Sequence, residues 1–202
     1  MKGILFRPEM IKANQCGTKT VTRQTSGLKE INLKPDAWKL DAVIENGVAC
    51  FLPQGCNDPV YVKFIKPRYQ VNDIVYIREA YMVNKEYDHL KPSEIPEIGR
   101  KVAIWYYADG NHYADKVNEG AGKVRSPLFM PAWAARDFIQ ITSVRAERLQ
   151  EITAEDTVKE GVRGMSYQPL WDSINKEHQW ASNPFVWVYS FKRVDKPVSP
   201  LV

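Results

Sequence analysis

The apolar runs of this chain are short, rich in β-branched and aromatic residues, and closed by turn residues, so little of it can form a helical core. Phe185-Val186-Trp187-Val188-Tyr189-Ser190-Phe191 alternates aromatics on one face, the period of a core strand. Ile74 to Tyr81, opened by the Asn72-Asp73 turn, is strand-like on both faces. Ile4-Leu5-Phe6, Val60 to Ile65, Val102 to Ala108 and Phe138 to Leu149 read the same way. Asn46-Gly47 between apolar runs predicts a hairpin over residues 42–52. Helices are predicted from Pro8 to Gly17, from Thr153, a good N-cap, to a stop at Gly161, and over 168–178. Residues 24–41 carry no period and read as an irregular crossing, 82–101 as a polar surface excursion, and 116–126 as a mobile loop. Asp109-Gly110-Asn111-His112 reads as a turn. About seven strands and three short helices without βαβ alternation imply an α+β, mostly antiparallel β-barrel.

Composition narrows the function. At 44% hydrophobic and 26% charged residues the chain has the make-up of an ordinary globular protein, with no apolar run of membrane-spanning length and no secretory segment at Met1. A cytoplasmic location and no membrane partner are the expectation. The formal charge of +4 permits a phosphate-bearing or nucleic-acid partner without demanding one. Cys16, Cys50 and Cys56 are odd in number and lack a C-x-x-C pair, so neither a disulfide framework nor a zinc site is expected. His89, His112 and His178 have no partner at metal-ligand or triad spacing, and no cofactor is expected. A site in this chain must therefore use lysine, hydroxyls and carboxylates.

Gly17-Thr18-Lys19-Thr20-Val21-Thr22-Arg23 concentrates those groups. Gly17 ends the first helix in the left-handed conformation and the threonines favour extended chain, so Lys19 stands at a helix-to-strand corner. Lys19 and Thr22 would lie on opposite faces of a regular strand, and converge only if Lys19 precedes the strand or sits at a bulge. Arg78 and Glu79 lie on opposite faces of the strand through Tyr81, and both faces are largely apolar. At least one should be half-buried, either in an arginine–carboxylate pair or as a ligand contact. Met130-Pro131-Ala132-Trp133 beside Arg136 reads as a wall for a flat ligand or as a tryptophan plug. Glu160 sits at the unfavourable end of its helix dipole, which points to another reason for its presence.

Gly17 to Arg23 resembles the G-x-K-T-x-T-x-R motif of the ASCH domain, shifted by one at the arginine. Val71 to Glu79 resembles the G-D-x-L-W-V-R-E segment of the larger ASCH-like proteins of tailed phages and prophages. Similar agreement runs through Met130 to Arg136, Arg148-Leu149-Gln150-Glu151-Ile152 with Glu160-Gly161, Leu170 to Asn175, and Asn183 to Val188. The resemblance implies a PUA-like barrel, one domain over 1–195 with an insertion around 28–126 and a tail over 196–202. It also implies a modified nucleoside or RNA as partner. Small bacterial members hydrolyse N4-acetylcytidine with a Lys, a Thr and a Glu. By motif match these roles fall on Lys19, Thr22 and Glu160, with Arg23, Arg78, Glu79, Trp133 and Arg136 as substrate-binding candidates. A non-catalytic RNA- or nucleobase-binding module is the alternative, and ribonuclease activity a third. The family's frequent arginine before the lysine is Thr18 here, and the chain is about twice the length of the small amidohydrolases.

Overall fold

In a computed structural model, which describes residues 1–95, 102–110, 120–162 and 166–197, the chain divides into two units, each assembled from separate stretches. The first comprises Met1–Gly17, Ile74–Ile139 and the chain from Arg193; the second comprises Thr18–Asp73 and Gln140–Lys192. The stretch 28–126, expected as an insertion, is divided between them. Residues 111–119, which include His112, the second half of the turn expected at 109–112 and the start of the loop expected over 116–126, lie outside the described residues, as do residues 96–101 of the polar excursion and 198–202 of the tail.

The first unit begins with β1 (Lys2–Leu5) and α1 (Pro8–Gln15). Pro8 presets the first turn of α1, and Gly17, at φ 72°, takes the chain out of it. β1 pairs in parallel with β6 (Ile74–Arg78), and β7 (Tyr81–Val83) pairs antiparallel with β8 (Ile104–Tyr106). The expected single strand through Tyr81 is thus broken after Arg78. Backbone groups at the break find partners outside a ladder: Glu79 N–H donates to Met130 Sδ at 3.4 Å, and Tyr107 N–H donates to Ala80 at 2.9 Å. Tyr76, Tyr81, Val83, Met130, Ala134 and Phe138 form the core of this unit.

The second unit holds β2 (Val21–Gln24), α2 (Lys29–Asn32), β3 (Trp38–Val43), β4 (Ala49–Pro53) and β5 (Lys63–Ile65). It also holds α3 (Ala154–Lys159), α4 (Tyr167–Ile174) and most of the long strands β9 (Phe138–Arg148) and β10 (Phe185–Val194). The 42–52 hairpin forms as β3 and β4, and β5 joins β4 antiparallel. β10 lies between β9 and β2, with β2 antiparallel to it. The architecture is α+β with mostly antiparallel pairing. Among the described residues no sheet closes on itself, so the expected closed barrel is not found. No helix among them is long and apolar enough to cross a membrane.

Residues 24–41 were expected to be irregular, yet they contain α2 and β3. α2 is too short for a periodic signature, and long-range contacts fix it instead. The buried Asn32 amide donates to Phe185 C=O at 2.9 Å and its carbonyl accepts from Phe185 N–H at 2.8 Å, mimicking a strand neighbour for β10. Asn32→Ala leaves two buried backbone groups unpaired, and should lower stability by about 2–3 kcal/mol, read as a shift of the urea midpoint at constant slope.

Candidate functional site

The corner at Lys19 is assembled by the end of α3. Thr153 caps that helix by accepting from Asp156 N–H at 3.1 Å, and acidic residues fill its first turn, as its sequence predicts. α3 stops at Glu160, and Gly161, at φ 86°, adopts the left-handed conformation that releases the chain. Two carbonyls of the last turn then find partners on the segment before β2. Thr20 N–H donates to Lys159 C=O at 2.8 Å, and Lys19 Nζ donates to Glu160 C=O at 3.0 Å. Lysine is the residue expected at a helix C-terminus, and here it arrives from elsewhere in the chain.

Lys19 Nζ also donates to Val21 C=O at 2.9 Å and to Glu160 Oε2 at 2.7 Å. These three oxygens are as many as an ammonium has donors. Lys19 and Glu160 are only 1% and 2% exposed. Burial lowers the Lys19 pKa below the ordinary lysine value, against the opposing pull of Glu160. Glu160 Oε1 accepts from Arg23 Nη1 at 3.2 Å. Arg23 in turn donates to Glu147 Oε1 (2.7 and 3.0 Å) and Asp156 Oδ2 (2.5 Å), and Arg145 bonds both of those carboxylates. Three cations thus face three carboxylates. Side-chain exposure rises outward, from 0% at Lys19 to 13% at Glu147 and Asp156 and 41% at Arg145, which marks the solvent side.

Thr22 is placed differently. It pairs with Tyr189 across β2 and β10, whereas Arg23 pairs with Val188, which packs with Val21 in the core beneath α4. Opposed residues share a face, so Thr22 lies on the Tyr189 side and Arg23 on the Lys19–Glu160 side. Lys19 precedes β2, as convergence required, but Thr22 hydrogen-bonds to neither Lys19 nor Glu160 among the described residues. Arg23, expected as a substrate contact, is committed to three carboxylates.

The remaining candidates lie in the first unit. The Glu79 carboxylate, 2% exposed, is gripped at both oxygens by Arg136, Nε to Oε1 at 2.8 Å and Nη2 to Oε2 at 2.9 Å. Arg136 also bonds Asp109 at 2.7 Å and stacks 4.0 Å from the Tyr106 ring centroid. Burial raises the Glu79 pKa despite this pairing. Arg78 bonds the Tyr76 phenol and Leu128 C=O, and sits over the Tyr76 ring. Trp133 packs against the core and its C=O accepts from Lys196 at 3.0 Å. Glu79 therefore pairs with Arg136, and the fork they form is closed: a guanidinium does not give up its proton, whereas the lysine against Glu160 can.

Sequence reasoning missed Glu147, Arg145, Asp156 and Tyr167 as neighbours of the site. Tyr167 begins α4 within an otherwise apolar cluster, and burial, then the Glu160 charge, push its phenol well above the usual value. Nothing in the sequence signalled it, because Ser166 and Gln168 flank it and most of the apolar residues around it come from distant positions. Among the described residues no three or more His, Cys, Asp or Glu are grouped to hold a metal ion.

Removing one partner from a buried pair strands the other, so Lys19→Met should cost about 3–5 kcal/mol, with part recovered in Lys19→Met/Glu160→Leu. Acid should weaken the second unit. Burial opposes the Asp156 charge, but Arg23 and Arg145 outweigh it and hold this carboxyl below its ordinary 3.8. The unfolded chain then binds more protons, so the stabilisation is present above 3.8 and is lost as pH falls through the lower folded value. Urea titrations across that range should show a shallower acid decline in Asp156→Asn.

Scans of protein-family models, of curated proteins and of solved structures returned no match to this chain.

Proposed function

We propose that the protein is an amidohydrolase that removes an acyl group from an N4-acylated cytosine nucleoside, with Lys19 and Glu160 as the reacting pair. The observation that carries this reading is the 2.7 Å contact between Lys19 Nζ and Glu160 Oε2, buried and joined across 141 positions of sequence. One proton moved along that hydrogen bond converts the ion pair into a neutral amine and a carboxylic acid. Those are the base and the acid that amide hydrolysis needs. Burial favours the neutral tautomer because it penalises charge on Lys19.

In this mechanism the Lys19 amine takes a proton from water, and the water oxygen bonds to the acyl carbon. The tetrahedral intermediate collapses with cleavage of the C–N bond, and Glu160 protonates the departing exocyclic nitrogen. The cytosine nucleoside and the carboxylic acid leave, and the pair remains as ammonium and carboxylate, one proton transfer from its starting form. Arg23 has no donor role toward substrate here; it orients Glu160. Water replaces Thr22 as the nucleophile because Thr22 faces Tyr189. Substrate approaches from the side of Arg145, where exposure is greatest.

Incubation with N4-acetylcytidine should release cytidine, measured by chromatography. Lys19→Met and Glu160→Gln should each lower kcat by about 10²–10⁴, while Thr22→Val should stay within a few-fold of the parent. Far-UV circular dichroism checks that each variant is folded. Absence of turnover across several N4-acylcytidines, with RNA affinity that falls steeply with salt, would replace the enzyme by the binding module. Loss of turnover in folded Thr22→Val would overturn the water mechanism.

A further inference from the structure

A cleft of about 550 Å³ opens in the second unit. Its walls include Trp38, Leu40, Phe185, Lys39, Gln54 and Arg148. This is the size of a small-ligand site, and it sets the apolar Trp38, Leu40 and Phe185 among six polar or charged residues. It reaches the buried ion cluster through Glu147, which lines the cleft and also accepts from Arg23 at 2.7 Å.

The charges in the cleft are not equivalent. Glu147 is neutralised by Arg23 and Arg145. Glu151 folds back onto the chain and accepts from Arg148 N–H at 3.0 Å. The Lys39 ammonium donates to a neutral partner, Asn57 Oδ1, at 3.0 Å. The Arg148 guanidinium is stacked 4.8 Å from the centroid of the buried Phe185 ring, and Nη2 meets Asp36 at 2.5 Å. Asp36 is 91% exposed, so it is a hydrated partner that a stronger anion displaces at small cost. The ring underneath fixes the position of the guanidinium, whose planar fork is suited to bidentate phosphate recognition.

We infer that this cleft binds the phosphate of a nucleotide on Lys39 and Arg148, with the nucleoside ring along Trp38 and Leu40. It makes the substrate class a phosphorylated nucleoside, free or within a strand, instead of an uncharged nucleoside. The assignment of the cleft to substrate rests on the amidohydrolase reading; the phosphate site itself does not.

The test uses the full chain for both binding and activity, because cytidine and its monophosphate carry no acyl group to turn over. Titration calorimetry should show cytidine 5′-monophosphate binding at least about tenfold tighter than cytidine. Arg148→Ala and Lys39→Ala, separately, should erase that difference, inorganic phosphate should compete, and Asp36→Asn should tighten nucleotide binding a few-fold by removing the competing carboxylate. A trinucleotide binding more tightly than the mononucleotide would identify the strand as the source of the phosphate, and equal affinity the free nucleotide. Equal binding of cytidine and its monophosphate, or a difference untouched by both Arg148→Ala and Lys39→Ala, overturns the inference. Phosphate-dependent binding without any turnover in the parent would sink the amidohydrolase reading and leave the phosphate site standing.

Discussion

The second unit depends on a lysine that closes a helix it does not belong to. α3 is only one and a half turns long and ends on a glutamate, which by itself is a poor terminus. Its last carbonyls are satisfied by Lys19 and Thr20, and the oxygen of Thr20 is taken in turn by Phe191 N–H at 2.9 Å. The end of α3, the entry to β2 and the middle of β10 are thereby fixed to one another through backbone groups. The Lys19 side chain then has its position set before any chemistry is asked of it. Burial of an ammonium is costly, and the cost is offset only because every donor finds an oxygen.

The same joint explains why one glutamate is a candidate for proton transfer and another is not. Glu79 has both oxygens held by one guanidinium, which does not give up its protons. Glu160 divides its oxygens between an arginine and a lysine. Burial biases Lys19 toward the amine, and Arg23 fixes the orientation of the Glu160 side chain that faces it. A single hydrogen bond joins the two groups, and the position of its proton is set by what lies beside it. A substrate carbonyl in place of one of the present lysine acceptors would shift that balance.

Local elements were legible wherever the physics is local. The Thr153 cap, the stop at Gly161, the Asn46-Gly47 hairpin and the aromatic alternation of β10 follow from neighbouring residues, and each forms as read. Lys19 and Glu160 were brought together on paper only by resemblance to a motif; nothing in their spacing joins them. Residues 24–41 failed because α2 is held by Asn32 reaching Phe185, a contact 153 positions away. The break after Arg78 failed for a related reason. A run of β-formers predicts extended chain but not which partner the next peptide will find, and Met130 and Tyr107 supplied partners outside the ladder.

Thr22 shows what strand alternation can decide when motif matching cannot. A motif fixes residue types and order, and treats a threonine three places after a lysine as its neighbour. Register adds the face: opposed to Tyr189, Thr22 is turned from the pair, while Arg23, one residue on, is turned toward it. Bringing Thr22 to Lys19 would require a one-residue slip of β2 against β10. That slip would carry Arg23 away from Glu147, Asp156 and Glu160 and leave three carboxylates, the buried Glu160 among them, against fewer cations. The ion cluster therefore locks the register, and it is on this register that the proposed use of water in place of threonine rests.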